Sequence, residues 1–241
     1  MTSAQDVDHR RAVSAADPDA VAETFRAGGA VHVRGAVDEA LLPDVEDAAE
    51  AVFRSSSRLA AENRLPAELA AAFERRFVPL VRLPLAPERL AALLHPAVRR
   101  LAREYLGKEP DVDPNSHVRS IALDRADTHM PFHQDQTILG RRLLNVWIPL
   151  CACGTDAPGL EVVWGSWSEL LEPSPLVGAK FPVERARLDP AAVGARFGGD
   201  ALWCPEFRAG DAMLFSGATI HRTHVNAGMT AGRMSVEFRL L

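Results

Sequence analysis

His133-Gln134-Asp135, a distant His221 and, beyond it, Arg233-Met234-Ser235 are the residues whose types and order could do chemistry. Side chains two apart in an extended strand point to the same face, so His133 and Asp135 could grip one ion while Gln134 points away. His221, from a distant strand, would complete two imidazoles and one carboxylate on one side of a metal. The opposite coordination positions would stay open, which suits a non-haem Fe(II) centre that must also bind a cosubstrate and O2. Arg233 would bring a planar guanidinium fork to a cosubstrate carboxylate, a geometry that lysine does not reproduce. Taken alone, the H-x-D element is weak, because a chain with eight histidines supplies one nearly by chance.

Other residues compete for these roles. His224 is a rival third ligand, but the spacing from Gly210-Asp211 to Phe215 and the downstream Asn226 favour His221 and leave His224 at a pocket edge. Arg239 is the fallback for the carboxylate clamp. His129 and His117 read as polar strand or loop positions, although His117 or Arg119, on the strand before the motif, could face the pocket. Of Arg82, Arg119, Arg142 and Arg185, most are expected to face water.

The elements that must position these residues differ between the two halves of the chain. Asp17-Pro18 is a helix start and Gly28-Gly29 a stop, followed by a short alternating strand from Ala30 to Val33. Helical periodicity runs from Asp38 to about Ala61, and further helices are expected over 66–77 and 87–106, the last interrupted before Pro96. After Pro114 short apolar or alternating runs take over: 116–123, 143–150, 160–163, 212–215 and 234–240. Gly, Pro, Asn and Asp clusters separate them, as in a β sandwich or barrel. In the last run Arg233, Ser235 and Glu237 share one face, and Met234, Val236 and Phe238 the other. The proline- and glycine-containing stretch 168–205 reads as a lid or binding insert. The expectation is one domain over 1–241: a mostly helical layer in 1–110 on a β core in 111–241.

Composition excludes several classes. The net charge of −5 is modest and the arginine doublets are isolated, so nucleic acid is not an expected partner. Three cysteines, Cys151, Cys153 and Cys204, form neither a disulfide framework nor paired zinc spacing, which fits a reducing, cytoplasmic setting. The first sixteen residues hold no apolar leader core, and no apolar run reaches about 20 residues, so no membrane span is expected.

Five motifs then stand in order: PFHQD, LNVWIPL, GLEVVWGS, GDAMLFSGATIH with Thr223 and Asn226 behind it, and RMS. This series resembles the phytanoyl-CoA dioxygenase-like family over roughly 111–241. The resemblance implies a mainly β, α+β fold with a double-stranded β-helix (jelly-roll) core. It also implies an Fe(II)- and 2-oxoglutarate-dependent oxygenase that uses O2, acts on a small molecule and releases succinate and CO2. By the same resemblance His133, Asp135 and His221 match the iron ligands, and Arg233 the residue that pairs with the distal carboxylate of 2-oxoglutarate. Thr223 and Ser235 would add hydroxyl donors, and Trp147 would wall the cosubstrate site. Asp135 fills the ligand position that related halogenases leave to chloride, which argues for hydroxylation or another oxidation.

The chain departs from the family pattern where Trp164-Gly165-Ser166-Trp167 replaces the usual P-G-S-H, and where Arg233 lies twelve residues after His221. Two other classes stay open on the residues alone. One is a cupin-like isomerase or hydrolase with the same triad and no O2, which would not need the Arg-x-Ser clamp. The other is a non-catalytic β-barrel binding protein.

Overall fold

The computed structural model describes residues 10–44, 47, 51, 93–113, 117–124, 129–175, 177–179 and 182–241. A short strand β1 (Val13–Ser14) leads into helix α1 (Pro18–Gly28). The helix begins where the Asp17 carboxylate accepts from Ala20 N and Pro18 takes the first turn. It ends at Gly29, whose φ of 73° lets its amide reach the Phe25 carbonyl. Strand β2 (Ala30–Arg34) follows. Helix α2 (Pro96–Leu106) has the same grammar, with His95 as cap, proline first and Gly107 last. The helices expected over 38–61 and 66–77, and the part of 87–106 before Leu93, lie almost wholly outside the described residues.

The second half is built of strands: β3 (His117–Ile121), β4 (Leu144–Pro149), β5 (Gly159–Val163), β6 (Leu202–Trp203), β7 (Ala212–Ser216), β8 (His221–His224) and β9 (Arg233–Leu240). They form a six-stranded sheet in the order β1-β2-β7-β4-β9-β3 and a three-stranded sheet in the order β6-β5-β8. All pairings are antiparallel except β1 with β2. The fold is mixed α/β and dominated by its sheets.

Pleating sorts the side chains of the larger sheet. Val146, Ile148, Val236, Phe238 and Leu240 pack into one apolar cluster with Val21, Phe25, Val98 and Leu101 of the two helices. Burying each such side chain is worth about 1.5–3 kcal/mol, which fixes the register of β4 and β9. Alternate residues of β4 and β7 turn to the opposite face, where Trp147, Met213 and Phe215 join Leu160, Val162 and Phe207 in a second cluster.

The stretch 168–205 is not a bare loop. Short helices α4 (Pro182–Arg185) and α5 (Pro190–Phe197) lie in it, and Asp189 caps α5 by accepting from Ala191 N. Leu188 and Val193 are buried against Phe132, Val163 and Ile220.

Candidate metal and cosubstrate site

The expectation that His133 and Asp135 share a strand face needs correction. His133 makes a single bridge to His221, with backbone bonds of 3.1 Å in each direction. Gln134 is extended (φ −125°, ψ 121°), and Asp135 opens the short helix α3 (Asp135–Leu139). Because only the intervening residue must be extended, the chain turns into a helix directly after the second side chain is aimed.

The three candidate ligands converge. Their donor atoms lie within 4.8 Å of one another, and all three residues are buried. His133 Nε2 is 3.7 Å and His221 Nε2 4.0 Å from the Asp135 carboxylate. Each imidazole uses its other nitrogen locally: Nδ1 of His133 donates to the Pro131 carbonyl at 2.7 Å, and Nδ1 of His221 to the Thr219 carbonyl at 3.0 Å. Those bonds fix the tautomer that leaves both Nε2 lone pairs facing the carboxylate. Burial, with His221 beside it, pushes the His133 imidazolium down to about 3, and burial likewise lowers His221. Burial opposes the charge on Asp135, but Arg239 and the two imidazoles outweigh it and hold the carboxyl below its ordinary range. Two neutral imidazoles and one carboxylate at neutral pH are the protonation states that a divalent metal requires.

Arg233 is buried at the far end of β9. Its Nη1 donates to the carbonyls of Pro158 (3.2 Å) and Gly159 (2.8 Å), and its guanidinium carbon sits 4.9 Å from the centre of the Trp147 ring. Its Nε has no partner, and neither do Trp147 Nε1 and Ser235 Oγ, all of them buried. Thr223 accepts from Met130 N at 2.9 Å, which leaves its hydroxyl proton available. Thr223, Trp147 and Arg233 line the same narrow cavity as the triad, with a free volume of about 30 Å³. Ser235 is buried beside it but is not part of its lining.

The rivals fall elsewhere. His224 lies an odd number of residues from His221, so on β8 it faces the other way, where Nδ1 meets Glu161 at 3.0 Å. Arg239, the fallback clamp, instead approaches Asp135, at 3.4 and 3.5 Å. His129 Nε2 bonds the Ala122 carbonyl. Arg119, which the sequence left open between pocket and solvent, lines the cavity: it is buried and grips Glu237 through Nε at 2.6 Å and Nη2 at 2.9 Å. Arg142, by contrast, is exposed and stacks on Tyr105, while Arg185 is exposed. Asn145, which stands in the LNVWIPL motif but has no role assigned from the sequence, also lines the cavity and has a buried, unpartnered Nδ2. Its only signal was strand alternation with Trp147.

Gln134 has a task of its own. Its Nε2 donates to the Glu169 carbonyl at 2.8 Å and to the Ala218 carbonyl, while its Oε1 accepts from Leu171 N at 2.9 Å. Leu188 N donates to the Phe132 carbonyl at 2.7 Å. Both neighbours of His133 are thus tied to the stretch 168–205.

A sequence profile of the phytanoyl-CoA dioxygenase (PhyH) family matches residues 25–234. The chain belongs to that family. The match extends the resemblance well into the N-terminal half and places the chain among 2-oxoglutarate-dependent enzymes. No curated protein matches the chain in sequence. Among solved structures the chain is similar to the non-heme alpha-ketoglutarate-dependent carbocyclase SnoK from nogalamycin biosynthesis, with 20% identity and a TM-score of 0.60 over 91% of this chain and 82% of that one. The epimerase SnoN, in complex with Fe3+, alpha-ketoglutarate and nogalamycin RO, has 20% identity and a TM-score of 0.55 over 94% and 84% of the two chains. EvdO2 from Micromonospora carbonacea var. aurantiaca, complexed with 2-oxoglutarate, has 14% identity and a TM-score of 0.58 over 91% and 89%. At these identities the likeness shows a shared fold. Among the described residues no helix is long and apolar enough to cross a membrane.

Proposed function

We propose that this member of the family is an Fe(II)- and 2-oxoglutarate-dependent oxygenase that oxidises a small molecule with release of succinate and CO2. The observation that carries the reading is the coincidence, in one cavity, of a buried His133-Asp135-His221 set with Arg233, whose Nη1 bonds the backbone carbonyls of Pro158 and Gly159 and whose buried Nε has no partner. The donor set fits the metal: both Nε2 atoms and a charged carboxylate converge, and coordination positions are left for other ligands. The orphaned donors fit the cosubstrate: Arg233 Nε, Trp147 Nε1 and Ser235 Oγ are buried without acceptors, a state that costs free energy until a ligand supplies them.

In this reading His133, Asp135 and His221 hold Fe(II), and Arg233 holds the distal carboxylate of 2-oxoglutarate, helped by Thr223 and Ser235 against the wall of Trp147. When bound, the iron and cosubstrate supply the oxidising power, drawn from O2 and the decarboxylation of 2-oxoglutarate. The chain's own residues orient these groups and keep bulk water out. Arg233 now rests on the Pro158 and Gly159 carbonyls, so it exchanges those neutral acceptors for a charged one when a diacid binds. A cavity of about 30 Å³ must widen for that exchange.

The architecture is read as one domain. The two sheets form a double-stranded β-helix, the N-terminal helices back its larger sheet, and the stretch 168–205 covers the site. Asp135 occupies a metal position that halide would need, which favours hydroxylation, ring formation or epimerisation over halogenation. The names of SnoK and SnoN show that related folds carry such outcomes.

Anaerobic addition of Fe(II) and then 2-oxoglutarate tests the reading. A visible charge-transfer band that requires both components, and is lost in His133→Ala, is the expected result. No band, together with no succinate formed under air, would sink it.

A further inference from the structure

The assigned metal and cosubstrate leave two buried donors in the cavity unused. Arg239, at the opposite end of β9 from Arg233, is the register partner of Asn145 on β4. Both residues line the cavity of the triad. Asn145 is only 5% exposed, and its Nδ2 has no partner; Arg239 Nε has none either. Register partners sit about 4.5–5.5 Å apart at Cα, so the two donors can serve one planar acceptor. Arg239 approaches Asp135 only at 3.4 and 3.5 Å, well beyond the roughly 2.7–2.9 Å of a tight charge-assisted bond. Its guanidinium is therefore loosely committed.

Charge points the same way. The other cations of the cavity are already matched: Arg119 by Glu237 and Arg222 by Glu161. Once a divalent ion takes the Asp135 carboxylate, Arg239 keeps the influence of Glu237 and Asp113, which Arg119 and Arg141 already bond, so the charges left to match are those of the ion complex, Arg233 and Arg239. A dianionic cosubstrate cancels two of them and leaves a single positive charge. A lone buried charge is costly, so the remaining ligand is expected to be an anion.

We propose that Arg239 and Asn145 form a subsite for a carboxylate of the prime substrate, at the end of β9 away from Arg233. The assignment rests on the oxygenase reading and narrows its substrate class to small carboxylic acids.

The test uses the anaerobic Fe(II)·2-oxoglutarate complex of the full chain, with propionate and propionamide as small probes that differ in charge and hardly in shape. Binding is followed by calorimetry and by the shift of the visible band. The expected result is that propionate binds about tenfold or more tightly than propionamide, with the band retained. Arg239→Gln should lose that preference. Because Arg239 also touches Asp135, Asn145→Asp serves as the second variant: it keeps the size of the side chain, places a negative charge in the subsite and should weaken propionate by a similar factor. Equal binding of acid and amide, no binding of either, or unchanged propionate affinity in Asn145→Asp overturns the proposal while leaving the oxygenase reading intact. Absence of the band before any propionate is added overturns both.

Discussion

On one face of β9, Met234, Val236, Phe238 and Leu240 pack into the apolar cluster shared with α1 and α2; on the other, Arg233, Ser235, Glu237 and Arg239 turn toward the cavity and the second sheet. The same eight residues thus supply two different currents of free energy. The outer face gains from every buried carbon atom. The inner face holds guanidinium groups out of water, and burial is the largest influence lowering the basicity of Arg233. Desolvation of such groups is not repaid by a few carbonyl bonds. The comparison teaches that the cavity face is maintained against the interests of stability, by packing on its reverse side.

Variants on either face can break that division. The largest expected effect is on the ligand set: His133→Ala should abolish Fe(II) binding at concentrations that saturate the unaltered protein, checked by anaerobic calorimetry. Next is the outer face, where Phe238→Ala should lower unfolding free energy by about 3–5 kcal/mol in urea titrations. Metal stoichiometry should be unchanged while that variant is folded. If Phe238→Ala instead spared stability and removed metal, the two faces would not be separable. Arg233→Ala is expected to weaken 2-oxoglutarate on the order of 100-fold in equilibrium titrations while Fe(II) affinity changes little. Loss of iron would mean that the clamp lies elsewhere.

The smallest effect is a pH slope in the metal-free protein. The folded imidazole of His133 is held down at about 3, and that of His221 is also depressed, whereas unfolded histidines take up protons near 6.5. Between those values the unfolded chain binds more protons than the folded one, so stability falls as pH drops from about 6.5 toward 4. Each histidine contributes at most about 1.4 kcal/mol per pH unit. Asp135 acts below that window, because its stabilising charge is lost only under about pH 4. Thermal melts from pH 4 to 7 should show the slope, and His133→Ala should flatten it.

Much of this comparison was legible in the residues alone. The alternation of β9 and the order of motifs point to the triad, Trp147 and Arg233 as neighbours, and these residues line one cavity. Strand alternation, however, says which side chains share a face and not whether a polar face is wet. Asn145 and Glu237 therefore carry no role that the sequence assigns, and Arg119 is left open between pocket and solvent, although all three line the cavity. The H-x-D pattern suggests extension over three residues, where extension at Gln134 alone suffices. In the stretch 168–205, Asp189-Pro190 carries the same cap-and-proline signal as Asp17-Pro18, masked by the surrounding prolines and glycines. The helices expected over 38–61 and 66–77 fall almost wholly on residues outside those described.

The bonds of Phe132 and Gln134 to the stretch 168–205 have an evolutionary consequence. A covering segment hung on an independent part of the scaffold can be exchanged to suit new substrates without touching the reaction centre. Here the segment's backbone is fastened to the Phe132 carbonyl and the Gln134 side chain, on either side of the candidate ligand His133, so a change that shifts those backbone groups pulls on His133. New specificity in this lineage is then expected to arise by substitutions that preserve the anchors at Glu169, Leu171 and Leu188, with wholesale replacement of the segment strongly selected against.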